Sequence, residues 1–152
     1  MKVSRDEVQR RMVRFREACQ RAGIKRTQQR IEVFREVASI SEHPDVEAIY
    51  QRVRTRMPTI SLDTVYRTLW LLKDLGLVTT LGTHHGRIRF DANISSHHHF
   101  VCTRCGMAQD FYSRALDGLE IPEVVKKLGS VETTYIEFRG LCSRCSKMKK
   151  GK

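Results

Sequence analysis

Two cysteine pairs carry the most chemistry in this chain, Cys102-Thr-Arg-Cys105 and Cys142-Ser-Arg-Cys145. The C-x-x-C spacing can put two thiolates on one turn. Two such pairs complete the closed, tetrahedral S4 shell that a structural Zn²⁺ prefers. Disulfides or redox-active pairs are the competing chemistry. Nothing else in the sequence suggests an oxidising compartment, so zinc is the expectation. The pairs stand 36 residues apart, more than a compact zinc ribbon usually has. The segment between them must therefore carry structure of its own. The fifth cysteine, Cys19, falls on an apolar helical stripe and reads as a small core residue.

His97-His98-His99 runs directly into Cys102. Strand alternation separates these side chains. His97, His99 and Val101 share one face, and His98, Phe100 and Cys102 the other. His97 and His99 thus point away from the thiolates and can form a second site that an S4 site does not need. Asp91, Asp110 and His43 can complete it. Three imidazoles and two carboxylates make an N3O2 shell suited to Fe²⁺ or Mn²⁺ and tolerant of Zn²⁺. A His43-Pro44 turn also has a purely structural reading. His84 and His85 read as turn residues, solvated or touching phosphate, and His98 as facing solvent or a neighbouring strand.

The elements that must position these groups follow from apolar periodicity. Residues 6–22 predict a helix through Val8, Met12, Phe15, Cys19 and Ala22, stopped by Gly23. Thr27 caps a second helix to Ser39, with Ile31, Phe34, Val37 and Ala38 inward. His43-Pro44 opens a third, with Val46, Ile49, Tyr50 and Val53 buried. Ser61 caps a fourth, Leu62 to Asp74, with Leu62, Val65, Leu69 and Leu72 inward, ended by Gly76. Leu77–Leu81 and Arg87–Asp91 predict a hairpin around the turn Gly82–Gly86. In its second strand Ile88 and Phe90 face one side, and Arg87, Arg89 and Asp91 the other. Helices followed by such a hairpin describe a winged helix-turn-helix at 1–91, with the fourth helix as major-groove reader. Residues 92–96 read as a hinge. In residues 97–152, strands at His97–Val101 and Met107–Tyr112 flank the first cysteine pair. A short helix at Ile121–Leu128 and a strand at Ser130–Phe138 lead to the second. Lys147–Lys152 reads as a frayed tail.

The 152 residues carry a formal net charge of +11. Residues 1–92 hold 18 basic and 11 acidic residues, and four thiolates on one zinc would lower the charge of the remainder. The first half is therefore the more basic, and a polyanionic partner, most simply nucleic acid, is expected. No apolar run approaches membrane-spanning length, and Met1–Asp6 has no signal-peptide core. A soluble cytoplasmic chain is the expectation.

The chain resembles the Fur family of metal-dependent bacterial repressors over nearly its whole length. The resemblance rests on Gly23-Ile-Lys-Arg-Thr-Gln-Gln-Arg30, His43-Pro44, Ser61-Leu-Asp-Thr-Val-Tyr-Arg-Thr-Leu69 and Arg89-Phe-Asp91. It continues through His97-His-His-Phe-Val-Cys-Thr-Arg-Cys-Gly106 and Cys142-Ser-Arg-Cys145. It implies an α+β homodimer whose subunits join an N-terminal winged helix-turn-helix domain to a small C-terminal α/β dimerisation domain. Cys102, Cys105, Cys142 and Cys145 match the structural zinc ligands. His43, Asp91, His97, His99 and Asp110 match the regulatory ligands. The peroxide-sensing branch commonly has Asp where this chain has Asp110, and the iron-uptake branch Glu. Asp110 therefore points to peroxide sensing through oxidation of His43 or His97, with an iron-, manganese- or zinc-uptake regulator as the alternative. Ser96, Thr133 and Thr134 depart from a further metal site of some iron-branch members, which is expected to be absent.

Two other classes compete. A metalloenzyme lacks a general-base motif such as H-E-x-x-H, and five protein ligands leave little room for substrate. A zinc-dependent RNA-binding module would bind without regard to sequence or regulatory metal. The expected partner is a double-stranded DNA operator, contacted by Lys25, Arg26, Thr64, Tyr66 and Arg67. Tyr66→Ala is predicted to weaken sequence-specific binding by about 1–3 kcal/mol. Lys25→Ala should weaken all sequences alike and reduce the salt slope. Unchanged affinity in both variants would move the DNA surface elsewhere.

Overall fold

The computed structural model describes residues 3–84 and 86–148. The chain divides into two compact units between Ile94 and Ser95. In the first, α1 (Arg5–Arg21), α2 (Gln28–Ala38), α3 (Val46–Arg54) and α4 (Leu62–Asp74) precede a hairpin of β1 (Thr79–His84) and β2 (Arg87–Asp91). Each helix starts where a small polar side chain satisfies an otherwise orphaned N–H. Ser4 accepts from Glu7, Thr27 from Arg30, Asp45 from Ala48 and Ser61 from Thr64. At the other end of α1 and α4, Gly23 and Gly76 adopt φ of 65° and 68°. This lets the next N–H turn back to Cys19 and Leu72, as a Schellman cap requires.

The core of this unit forms where the helical stripes meet. Phe15 of α1 stacks on Phe34 of α2, and Val37, Ile49, Val53, Val65, Leu69, Leu72 and Phe90 complete it. Cys19 lies inside it, as its place on the stripe implied. Two polar devices hold the helices in register. Buried Arg11 donates to the Ala38 carbonyl at the end of α2 and to Glu7, whose carboxyl is thereby held below its usual range. Arg56, just beyond α3, donates to both Glu32 and Glu36 on α2.

Several local expectations need correction. Asp45, not Pro44, starts α3, because the carboxylate caps Ala48. Leu62 is exposed although it shares the helix face of Val65 and Leu69, because it stands at the very start of α4, ahead of the packed part of that stripe. Ile88 is exposed whereas Arg89 and Asp91 are buried. The last half of β2 is covered on both faces, and polar alternation there does not mean solvent. β1 also runs on to His84, with an irregularity between Leu81 and His84, so the turn is shorter than expected. His85 lies outside the described residues, as do residues 149–152 of the tail.

The second unit is a three-stranded sheet of order β4-β3-β5, formed by β3 (His98–Cys102), β4 (Ala108–Phe111) and β5 (Glu137–Gly140). β3 pairs antiparallel with β4 and parallel with β5. The parallel crossover contains two single-turn helices, α5 (Arg114–Asp117) and α6 (Glu123–Lys126), and α7 (Ser143–Lys147) follows the sheet. The strand expected from Ser130 begins only at Glu137. The register His99↔Glu137 aligns earlier residues with positions where β3 has not yet begun, so their alternation finds no ladder. The buried apolar set here is small, namely Val101, Ala108 and three of the cysteines. Leu119, Val124, Leu128, Tyr135 and Phe138 are exposed. No helix among the described residues is long and apolar enough to cross a membrane.

Candidate metal centres

Cys102 ends β3, and the turn to β4 carries Cys105. The turn is closed by hydrogen bonds from the Gly106 N–H to the Cys102 carbonyl and from the Cys102 N–H to the Met107 carbonyl. Gly106 has φ of 72°, a conformation that favours glycine and lets the chain reverse tightly. The second pair opens α7. Cys142 is its N-cap, its sulfur accepting from the Cys145 N–H at 3.4 Å. The Cys142 N–H in turn points at the Cys102 sulfur at 3.3 Å.

The four sulfurs lie within 4.8 Å of one another, and Cys105 and Cys142 are 3.9 Å apart. A tetrahedral site with Zn–S bonds near 2.3 Å has S···S edges of about 3.8 Å. None of the four is in a disulfide. The donor set therefore fits a closed zinc site. Backbone N–H groups, first Cys105 and then Cys142, hold the Cys102 thiol down at about 6, while burial pushes Cys145 up to about 12. A metal ligand must be a thiolate, so metal capture by this cluster and proton release are linked.

The imidazole–carboxylate residues fall in both units. In the second, His97 Nε2 and His99 Nε2 are 2.9 Å apart. Asp110 Oδ1 lies 3.7 Å from the first and 3.6 Å from the second. The register causes this, because Asp110 is the direct cross-strand partner of His99. His97 Nδ1 is 2.6 Å from the Ser95 carbonyl. A carbonyl only accepts, so Nδ1 holds a proton, and in the neutral form of the ring the lone pair is then on Nε2, toward His99 and Asp110. This is the tautomer a metal ligand requires. In the first unit, His43 Nε2 is 3.4 Å from Asp91 Oδ2, and both residues are buried. The Phe90 N–H donates to the Pro44 carbonyl, tying β2 to the His43-Pro44 turn. His43 is held at φ of 52°, unusual for a residue with a side chain.

His98 does not face solvent. It is buried between the Ile136 N–H, which donates to Nδ1, and Asp117, whose Oδ1 is 3.2 Å from Nε2. Asp117 also accepts from Ser96. Asp117 sits in α5, which no apolar period announced. Phe100, on the same strand parity as Cys102, packs against the cysteine cluster.

The nucleic-acid candidates all lie in the first unit. Lys25 and Arg26 are exposed just before α2, and Thr64, Tyr66 and Arg67 lie in the first two turns of α4. Tyr66 is 49% exposed, so it is available for contact rather than committed to the core. Thr64 is half-buried and hydrogen-bonds Ser61. Arg67 pairs with Asp63, a residue that the sequence reading passed over. Its i,i+4 spacing to Arg67 was the available signal.

The pattern of the ferric uptake regulator family matches residues 21–138. The peroxide-responsive repressor PerR of Staphylococcus epidermidis is 33% identical over 127 residues, covering 82% of this chain and 83% of that protein. The chain belongs to the ferric uptake regulator family. Among solved structures, the Helicobacter pylori ferric uptake regulator Fur, with three functional metal-binding sites, superposes with a TM-score of 0.75 at 24% identity. It covers 91% of this chain and 93% of its own, and shares the fold. The Campylobacter jejuni peroxide stress regulator gives a TM-score of 0.63 at 25% identity, over 86% and 96% of the two chains. The chain thus shares the fold of these regulators, helices with small sheets, and its own second unit carries a four-cysteine cluster.

Cys102→Ser is predicted to lose bound zinc and secondary structure in the second unit together, measured by metal analysis and circular dichroism. A zinc-free variant with wild-type structure would contradict the structural role. His97→Ala should retain one zinc per chain, because its ring lies on the opposite strand parity from Cys102. Zinc release by this variant would contradict two separate sites.

Proposed function

We propose that this protein is a metal-dependent transcriptional repressor that binds double-stranded DNA as a homodimer and senses peroxide. The cluster of His97, His99 and Asp110 carries this reading, because its converging nitrogen and oxygen donors stand in a chain similar to peroxide-responsive repressors. His43 and Asp91 join the three to hold Fe²⁺ or Mn²⁺, with Zn²⁺ on the four cysteines. Residues 1–91 read DNA, 92–96 act as the hinge, and 97–152 dimerise. The exposed apolar side chains of the second unit, with Leu128 at 85%, support a subunit interface. The protein acts in the cytoplasm and as a regulator rather than an enzyme.

Metal binding would link the His43-Pro44 turn to the sheet of the second unit and set the separation of the two α4 helices in the dimer. That separation must match the half-site spacing on DNA, so metal occupancy and operator affinity are coupled and reciprocal. Fe²⁺ held by these residues would supply the one-electron chemistry that activates peroxide. One peroxide oxygen would enter a ring C–H of His43 or His97 and the other would leave as water, so the imidazole rather than the metal is the net reductant. The oxidised ring is a poorer donor, which releases the link. The match to the ferric uptake regulator family also favours a second reading, an iron-uptake regulator of the same build that lacks the oxidation step.

Peroxide should abolish operator binding by the iron-loaded protein and add one oxygen to the His43 or His97 peptide, while the manganese-loaded protein resists. Asp110→Glu should keep metal-dependent binding and blunt the peroxide response. Retained operator affinity in the iron form after peroxide, with unmodified histidine peptides, would favour the uptake regulator.

A further inference from the structure

The first two turns of α4 expose two kinds of side chain. Leu62 and Tyr66 are apolar or amphipathic, and Asp63 and Arg67 form an ion pair, Arg67 Nε to Asp63 Oδ2 at 2.9 Å. Both partners are largely exposed, at 78% and 66% of their side-chain surface. Such a pair contributes little to the stability of a helix in water. Asp63 also sits in the first turn, where a carboxylate complements the helix dipole. These effects account for a stable helix start. They leave unexplained why a carboxylate stands on the face that would meet a polyanion, in the more basic half of the chain.

The geometry points to Asp63 as a positioning residue that sets base specificity through Arg67. This inference rests on the DNA-reading role proposed above. The ion pair engages Nε, and a guanidinium held there still has its Nη1–Nη2 edge to present. That edge matches the O6 and N7 acceptors of guanine in the major groove, the commonest bidentate contact of arginine with a base. An unrestrained arginine must order several torsions to make this contact and can instead swing to a phosphate. A carboxylate one turn away reduces that freedom and counters the drift to phosphate. Asp63 therefore lowers affinity for DNA in general, by charge repulsion, and raises the preference for guanine at one base position in each half-site.

The test is selection from a pool of randomised duplexes by the full-length, manganese-loaded protein and its variants, with affinity for a fixed unrelated duplex measured in parallel. Wild type should enrich guanine at a symmetric position in the two half-sites, and Arg67→Ala should lose that preference. Asp63→Ala and Asp63→Asn should each reduce it about tenfold, within the range a bidentate base contact supplies. Preferences at other positions should stay, and binding to the unrelated duplex should be unchanged or tighter. Asp63→Glu should restore the guanine preference, and adding Asp63→Ala to Arg67→Ala should change nothing further at that position. The asparagine variant keeps a residue suited to the helix start, so a folding defect of the alanine variant leaves the test intact. Retention of the guanine preference in Asp63→Asn, or equal loss at every position, would overturn the inference and leave Asp63 a helix-stabilising residue. A wild-type protein that enriches no sequence would instead overturn the DNA-reading role itself.

Discussion

The second unit depends on four sulfurs coming together. Its three short strands and single-turn helices bury few apolar side chains, and three of the most buried residues are themselves cysteines. A unit of this size cannot offset its conformational entropy with so small a core. The S4 cluster supplies the missing cross-link. It ties the turn after β3 to the start of α7, and thereby secures the parallel pairing of β3 with β5 across a long crossover. The β3–β4 turn that carries Cys105 also sets the register in which Asp110 meets His99. In this account the structural metal does not sense anything. It holds the frame on which the sensing donors are arranged.

The two donor sets differ in chemistry, and that difference sorts the metals. Thiolates are soft and favour Zn²⁺ in a closed tetrahedron, whereas imidazole with carboxylate suits Fe²⁺ or Mn²⁺. Strand parity keeps the sets apart. His99 leaves one side of β3 and Cys102 the other, and His97, just before the strand, has the parity of His99. One short strand and the residue before it thus serve two sites without mixing their ligands.

Much of this was legible in the sequence, because local rules decide it. Ser61 capping α4, Gly76 ending it and the inward Val65, Leu69 and Leu72 between them are local signals, and each fell where expected, Leu62 alone excepted. The cysteine and histidine spacings are also local. The failures were tertiary. Alternation in Arg87–Asp91 assigned faces but not burial, which depends on what covers the strand, and Arg89 and Asp91 are both covered. Alternation in Ser130–Phe138 suggested a strand, but β3 offers no partner before its first residue. His98 read as facing solvent or a neighbouring strand, and nothing local decides between the two; the Ile136 N–H just before β5 and Asp117 converge on it.

X-ray absorption at the zinc and iron edges of the doubly metallated protein tests the central claim, that one chain holds two metals in chemically distinct shells. The account predicts four sulfur neighbours at about 2.3 Å for zinc, and only nitrogen and oxygen neighbours, including imidazole, for iron. Sulfur in the iron shell, or imidazole in the zinc shell, would contradict it.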